Sequence, residues 1–324
     1  METKAHYLTF VLIAAVIILT ALSAVIDFPD DSRLWIEIQN AGHMPFYGLL
    51  TLVLLGLSVK LLGERQPNRY VHYLVALGIA TALGGINELL QIEGPRDADL
   101  MDLVRNVAGS LVFLALFMLV DSGLKGLRAS WKRYVRYVIV IGSLMITLAV
   151  LVPVALLASA YQLRNEAFPM VCDFESRWER KFIDVDEARL QIVDAPDLWV
   201  EAKGGYVGRV DFRVARYPGF SILEPYPDWS GYGVLVFEVL SELDTAVSLN
   251  IRIEDERHSG EYDDRYTGTF KVLPGASQIR IPLSEVRKAP LLREHDMTAI
   301  RAIQVYAVSP LERFSLYFDN VHVE

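Results

Sequence analysis

The residues best suited to chemistry in this chain are His43, Glu88, Gln91, Arg96, Asp99, Asp102, Arg105 and Asn106, polar or ionisable groups set in or beside long apolar runs. A carboxylate partly withdrawn from water and close to an arginine suits proton transfer or the gripping of a polar headgroup. Glu88 is the candidate acid or base, and Arg96 and Arg105 offer bidentate contacts to a phosphate. On a helix, Glu88 and Gln91 share a face. Asp99, Asp102, Asn106 and Gly109 follow at spacings of three, four and three, which keeps them on one stripe. A structural reading competes for each residue taken alone. Asp99 or Asp102 can cap a helix N-terminus, the arginines can pair with these acids, and Asn106 with Gly109 can form a small-residue packing seam. Capping does not require polar groups on three helices, so the set as a whole points to a pocket. His43 is its weakest member, a lone histidine at a helix start. No G-x-S-x-G, H-E-x-x-H, Walker loop or C-x-x-C accompanies these residues, so a catalytic reading stands on carboxylates alone.

Five apolar stretches must position these groups: Tyr7–Ile26, Gly42–Leu62, Val71–Leu90, Leu103–Val120 and Val138–Ala158. Each is close to the ~20 residues that cross a ~30 Å hydrocarbon core. An ionisable side chain in lipid costs about 2.5–3.5 kcal/mol on insertion scales, so the polar groups should face the bundle interior or a wet cavity. Lysines and arginines set the orientation. Lys4, Lys60, Arg65, Arg69, Lys125, Arg128, Lys132, Arg133 and Arg136 fall on one side, against Arg33, Arg96 and Arg105 on the other. Basic loops stay in the cytoplasm, which predicts a cytoplasmic N-terminus and a C-terminal half outside. Ala21-Leu22-Ser23-Ala24 also offers a signal-peptide cleavage position, but the apolar run before it exceeds the ~7–15 residues of a signal core, which favours an uncleaved anchor.

Composition fits a chain in two parts, since 52% hydrophobic residues over 324 positions is high for a soluble domain and low for an all-membrane one. A net charge of −9 argues against nucleic acid as a partner. The single cysteine, Cys172, excludes an intrachain disulfide and any multi-cysteine metal site, and reads as a small apolar residue near a domain start.

The order His43, Glu88-x-x-Gln91, Arg96, Asp99-x-x-Asp102-x-x-x-Asn106-x-x-Gly109 resembles the VanZ-like membrane proteins, over roughly Ile26 to Val120. That family takes its name from a determinant of teicoplanin resistance. The resemblance implies a membrane bundle at the cell envelope, with a possible link to glycopeptide resistance, and implies no secure activity.

Past Tyr161 the pattern changes. Residues Tyr161–Met170 read as a tether, followed by short alternating runs between Gly, Pro and Asp, an all-β signature. Candidate strands are Gly208–Val214, Gly233–Val239, Val247–Glu254, Gly268–Val272, Gln278–Pro282, Ala302–Val308 and Phe314–Val323, with turns at Pro218-Gly219, Pro225–Pro227 and Pro274-Gly275. Seven or more strands in about 150 residues suit a sandwich or jelly roll. This half resembles carbohydrate-binding modules with a galactose-binding-like jelly roll, through Asp173-Phe174-Glu175, Asp228-Trp229-Ser230-Gly231-Tyr232 and Phe318-Asp319-Asn320-Val321. The resemblance implies that Asp173, Glu175 and Asp319 lie near one another, where related modules often hold a structural calcium; ordinary turn hydrogen bonding is the alternative. It also implies that Trp229 packs at the sandwich edge. Sugar binding needs flat aromatic faces beside polar groups. Tyr262 and Tyr266, which flank Asp263-Asp264-Arg265, are the candidate rim, with Trp199 and Tyr206 as further candidates and Tyr217 among the aromatics available.

The expected architecture is therefore a five-span α-helical transmembrane bundle (residues 1–160), a tether (161–170) and an extracytoplasmic all-β sandwich (171–324). Its expected place is a bacterial inner membrane. Expected partners are membrane lipid and an envelope glycan or lipid-linked precursor. The alternatives are an enzyme that modifies such a lipid-linked substrate through Glu88, or a structural envelope adaptor.

Overall fold

The computed structural model describes residues 11–14, 16, 18, 32–63, 65–91, 100–131, 133–199 and 205–324, with Leu90 and Gln91 described by their backbone. The chain has a helical N-terminal half of apolar helices followed by a β-sandwich of two antiparallel sheets. Two compact units divide it, Met1–Leu156 and Leu157–Glu324.

The helices are α1 (Arg33–Leu62), α2 (Arg69–Gln91), α3 (Leu100–Met118), a short α4 (Lys125–Ser130) and α5 (Arg133–Ala167). Among the described residues four helices are long and apolar enough to cross a membrane, α1, α2, α3 and α5, and not the expected five. Most of the first expected span, Tyr7–Ile26, lies outside the described residues; within it, residues 11–14, 16 and 18 are described and helical. Helix α1 starts before the expected Gly42, because the Ser32 hydroxyl accepts from the Trp35 backbone N–H at 3.4 Å and caps it.

Small residues let α1, α2 and α3 approach closely. A side chain at Gly109 would collide with the Met44 backbone, and one at Gly48 with the Phe113 ring. A buried polar seam runs beside these contacts, where Thr51 Oγ1 lies 2.7 Å from Ser110 Oγ and Ser110 donates to the Asn106 carbonyl at 2.9 Å. At the far end of the bundle Arg69 donates to both oxygens of Asp121, at 2.7 and 3.0 Å, and the Tyr73 hydroxyl adds a third bond at 2.9 Å. The loop after α3 is thereby fixed to the start of α2.

In the second unit, one sheet has the order β3 (Ala188–Asp194), β4 (Tyr206–Phe212), β11 (Phe314–Val323), β6 (Val234–Ser241), β9 (Gly275–Pro282), with β1 (Met170–Cys172) also on β11. The other runs β2 (Ile183–Asp186), β5 (Gly219–Leu223), β10 (Ile300–Tyr306), β7 (Val247–Asp255), β8 (Tyr266–Val272). Alternating inward residues of both sheets, among them Phe212, Phe237, Phe318, Ile251, Ile253 and Ile303, make one core. Trp229 is fully buried in it and donates from Nε1 to the Tyr226 carbonyl at 2.7 Å. Cys172 is buried in the same core, and its thiol is pushed up by burial, so it packs as a small hydrophobe. Residues 161–170, expected as a tether, are instead helical through Ala167 and enter β1 at Met170. Tyr161 holds the Glu224 carboxylate, and Arg164 donates to the Glu224 carbonyl at 2.7 Å while stacking over Tyr161 at 4.7 Å.

Candidate functional site

The outer face of the second sheet carries an open groove of about 700 Å³. Its floor follows from register, because directly paired residues on antiparallel strands point to one face. One row crosses all five strands as Asp184, Ser221, Gln304, Arg252, Thr267. The next row is Asp186, Gly219, Tyr306, Asn250, Thr269. At ~4.8 Å between strands each row is ~19 Å long. Hydroxyl, amide, guanidinium and carboxylate groups thus stand side by side, and Tyr306 lies within them. Gly219 has a structural cause, since a side chain there would collide with the Val305 carbonyl and the backbone of Tyr306.

Exposed aromatic faces border this floor. Tyr217 is 46% exposed and meets Tyr306 edge-to-face at 5.8 Å, and Tyr262 is 63% exposed with Arg265 stacked over it at 5.2 Å. The loop bearing Tyr262 is anchored from below. Arg293 pairs with Asp255 and donates to Asp264 Oδ1 at 2.5 Å, while Ser259 N–H donates to Asp264 Oδ2 at 2.8 Å. These donors, Arg293 first, hold the Asp264 carboxyl well below the usual carboxylate range. His258 donates from Nδ1 to the Asp264 carbonyl at 3.0 Å and accepts from Arg252 at Nε2, 3.1 Å away. Burial, and then the neighbouring Arg265, lowers Arg252 to about 10.

Of the expected glycan residues, Tyr262 lines the groove and three do not. Tyr266 is buried, because strand alternation pairs it with the core residue Ile253. Trp199 is buried with Val207, Leu240 and Tyr317. Tyr206 is half exposed but belongs to β4, in the other sheet. Gln304 and Tyr306 were absent from the expected set, and register was the information missing.

The expected calcium residues are engaged locally. Asp173 Oδ1 accepts from Glu175 N–H at 3.0 Å, Glu175 Oε1 from Tyr206 N–H at 2.8 Å, and Asp319 Oδ1 from Asn320 N–H at 2.8 Å. Asp319 Oδ2 and Glu238 Oε2 are buried without a hydrogen-bond partner among the described residues. Burial, with the charges of Glu238, Asp173 and Glu175, pushes Asp319 up to about 6. The carboxyl oxygens of this corner can accept a hard cation such as calcium.

In the helical unit, α1, α2 and α3 bring together His43, Glu88, Asp102, Arg105 and Asn106. His43 Nδ1 is 2.9 Å from Asn106 Oδ1, His43 Nε2 is 3.6 Å from Asp102 Oδ2, and Arg105 donates to Asp102 Oδ1 at 2.5 Å. Single ligand atoms of His43, Glu88 and Asp102 all lie within 4.8 Å of one another. Glu88 and Asn106 are buried. Arg96 and Asp99 lie outside the described residues, as does the side chain of Gln91. His43, the weakest member on sequence grounds, therefore sits among the others.

No protein-family model matches this chain, and no curated protein matches it. Solved structures do. An exo-β-agarase is 16% identical with a TM-score of 0.40, over 48% of this chain and 25% of that one. A family 11 carbohydrate-binding module from Clostridium thermocellum, in complex with a β-1,3-1,4-mixed-linked tetrasaccharide, is 20% identical with a TM-score of 0.37, over 48% of this chain and 93% of that one. The N-terminal modules of a Clostridium thermocellum endo-1,4-β-D-xylanase, complexed with xylohexaose, are 12% identical with a TM-score of 0.33, over 48% and 27%. The chain thus spans about a quarter of the agarase and nearly all of the family 11 module.

Proposed function

We propose that this is a membrane-anchored glycan-binding protein, whose β-sandwich binds a polysaccharide along the outer face of the β2-β5-β10-β7-β8 sheet. The observation that carries this reading is the pair of polar rows flanked by exposed Tyr217 and Tyr262. Sugar hydroxyls need closely spaced donors and acceptors, and sugar rings need flat apolar faces; the groove supplies both. Being open and elongated, it suits a chain in preference to a single sugar.

The distribution of Lys and Arg supports a cytoplasmic N-terminus and an extracytoplasmic sandwich at a bacterial inner membrane, so the ligand is an envelope or exported glycan. The VanZ-like resemblance supports a role of the helical pocket in engaging an outer-leaflet headgroup or lipid-linked precursor, and with it the link to glycopeptide resistance. A second reading, an enzyme with Glu88 as acid or base, is favoured by one observation, the burial of Glu88 beside His43 and Asp102.

Affinity electrophoresis of the full chain in detergent, through gels holding single soluble polysaccharides with and without calcium, tests the main reading. Retardation by at least one glycan, lost on Tyr217→Ala with Tyr306→Ala, is expected. Unchanged mobility in every gel would overturn it.

A further inference from the structure

We infer that His43, Glu88 and Asp102 form a binding site for a divalent first-row transition ion, Mn²⁺ or Zn²⁺, where α1, α2 and α3 meet. The inference is independent of the glycan groove. One imidazole and two carboxylates, contributed by three separate helices, bring a ligand atom each to within 4.8 Å of the others. His43 Nε2 and Asp102 Oδ2 are 3.6 Å apart, close to the ~3.4 Å that separates two ligands held at ~2.1 Å around a tetrahedral ion.

The histidine is already oriented for ligation. An amide oxygen only accepts, so the 2.9 Å contact puts the His43 proton on Nδ1, facing Asn106 Oδ1, and turns the Nε2 lone pair toward the carboxylates. A ligating histidine whose other nitrogen is held by an oxygen is the usual arrangement in metal sites. Charge points the same way. Two carboxylates packed together in an apolar bundle repel each other, and a dication between them offsets that repulsion.

A second observation points to something bound there. The amide nitrogen of Asn106, on a residue more than nine-tenths buried, has no hydrogen-bond partner among the described residues. Asn106 Nδ2 lies against Gly84, one turn before Glu88 on the same face of α2. A donor so placed suits a metal-bound water or an anionic ligand oxygen. Three protein ligands leave such a position open. An imidazole beside carboxylates selects Mn²⁺ or Zn²⁺ over Mg²⁺ and excludes soft Cu(I).

The test is binding of Mn²⁺ to the full chain in detergent after chelator treatment, read by electron paramagnetic resonance, with Zn²⁺ and Mg²⁺ as competitors. One ion per chain is expected, displaced by Zn²⁺ but not by equimolar Mg²⁺. Occupancy should fall at least tenfold in His43→Gln and Asp102→Asn. Asn106→Ala leaves all three ligands in place and should weaken binding about 10–100-fold with an unchanged helical circular dichroism spectrum. That variant keeps the test decisive if a ligand substitution unfolds the bundle. No binding by the wild type, or equal binding by wild type, His43→Gln and Asn106→Ala, would overturn the site.

Discussion

At the scale of single residues, the groove makes its sharpest demand on Tyr217 and Tyr306, one exposed at the border and one in the polar floor. Replacing either with alanine removes an aromatic face and should weaken glycan binding by about 1–2 kcal/mol, a five- to thirtyfold rise in Kd by titration calorimetry. Asp319 makes a different demand. Its carboxyl titrates at about 6 because it is buried beside other acids, above its ordinary value. A carboxyl raised in the folded state stabilises fully below its unfolded pKa, and that stability is lost as pH rises through the folded value. Without metal, the β-sandwich should therefore be more stable near pH 4 than near pH 7 so far as this group decides. Asp319→Asn should raise Tm at pH 7.5 by about 2–4 °C and leave it unchanged near pH 4, by calorimetry. If calcium occupies this corner, adding it at pH 7.5 raises the wild-type Tm and the asparagine variant loses that gain.

At the scale of elements, the loop carrying Tyr262 is held by Arg293 through Asp255 and Asp264, neither of which lines the groove. Arg293→Ala should leave buried Asp255 unpaired, destabilise the sandwich by about 3–5 kcal/mol, and weaken glycan binding in whatever fraction stays folded. Arg293→Lys should retain part of both. In the bundle, Gly109→Val drives a branched side chain into the Met44 backbone, and should lower the detergent-solubilised helical transition more than Gly142→Val, where a side chain meets open space. Much of this scale was legible beforehand. Strand β11 runs over the expected Phe314–Val323, and α2 extends the expected span by only a residue or two at each end, because long unmixed patterns are hard to misread. What escaped has specific causes. Strands β2 and β3 lie at sheet edges with exposed charged residues such as Asp184 and Arg189, so their apolar alternation is faint. Strand β5 begins at Gly219, inside a Pro-Gly pair that reads as a turn. The polar cluster of the bundle was legible from residue type and helical spacing, since three-and-four spacing fixes a face. The groove was not, because Gln304 meets Ser221 and Arg252, and Tyr306 meets Gly219 and Asn250, only through cross-strand register.

At the scale of the molecule, the functional proposal joins two compact units through α5, whose last turns from Leu157 pack into the β-sandwich unit. The expected orientation is open to a direct check. A cysteine placed at exposed Leu311 should label in intact spheroplasts with a membrane-impermeant maleimide, whereas one placed at Lys125 should label only after lysis; the reverse pattern would invert the topology. The most direct measurement is the affinity of the full chain, in detergent, for whichever polysaccharide retards it most, compared among wild type, Tyr306→Ala and Tyr206→Ala. Tyr306 lies in the groove and Tyr206 in the opposite sheet, exposed and away from it. Binding that falls at least fivefold in Tyr306→Ala and stays within twofold of wild type in Tyr206→Ala is the predicted result. Binding unaffected by Tyr306→Ala, or lost in Tyr206→Ala, would contradict the placement of the glycan on the β2-β5-β10-β7-β8 sheet.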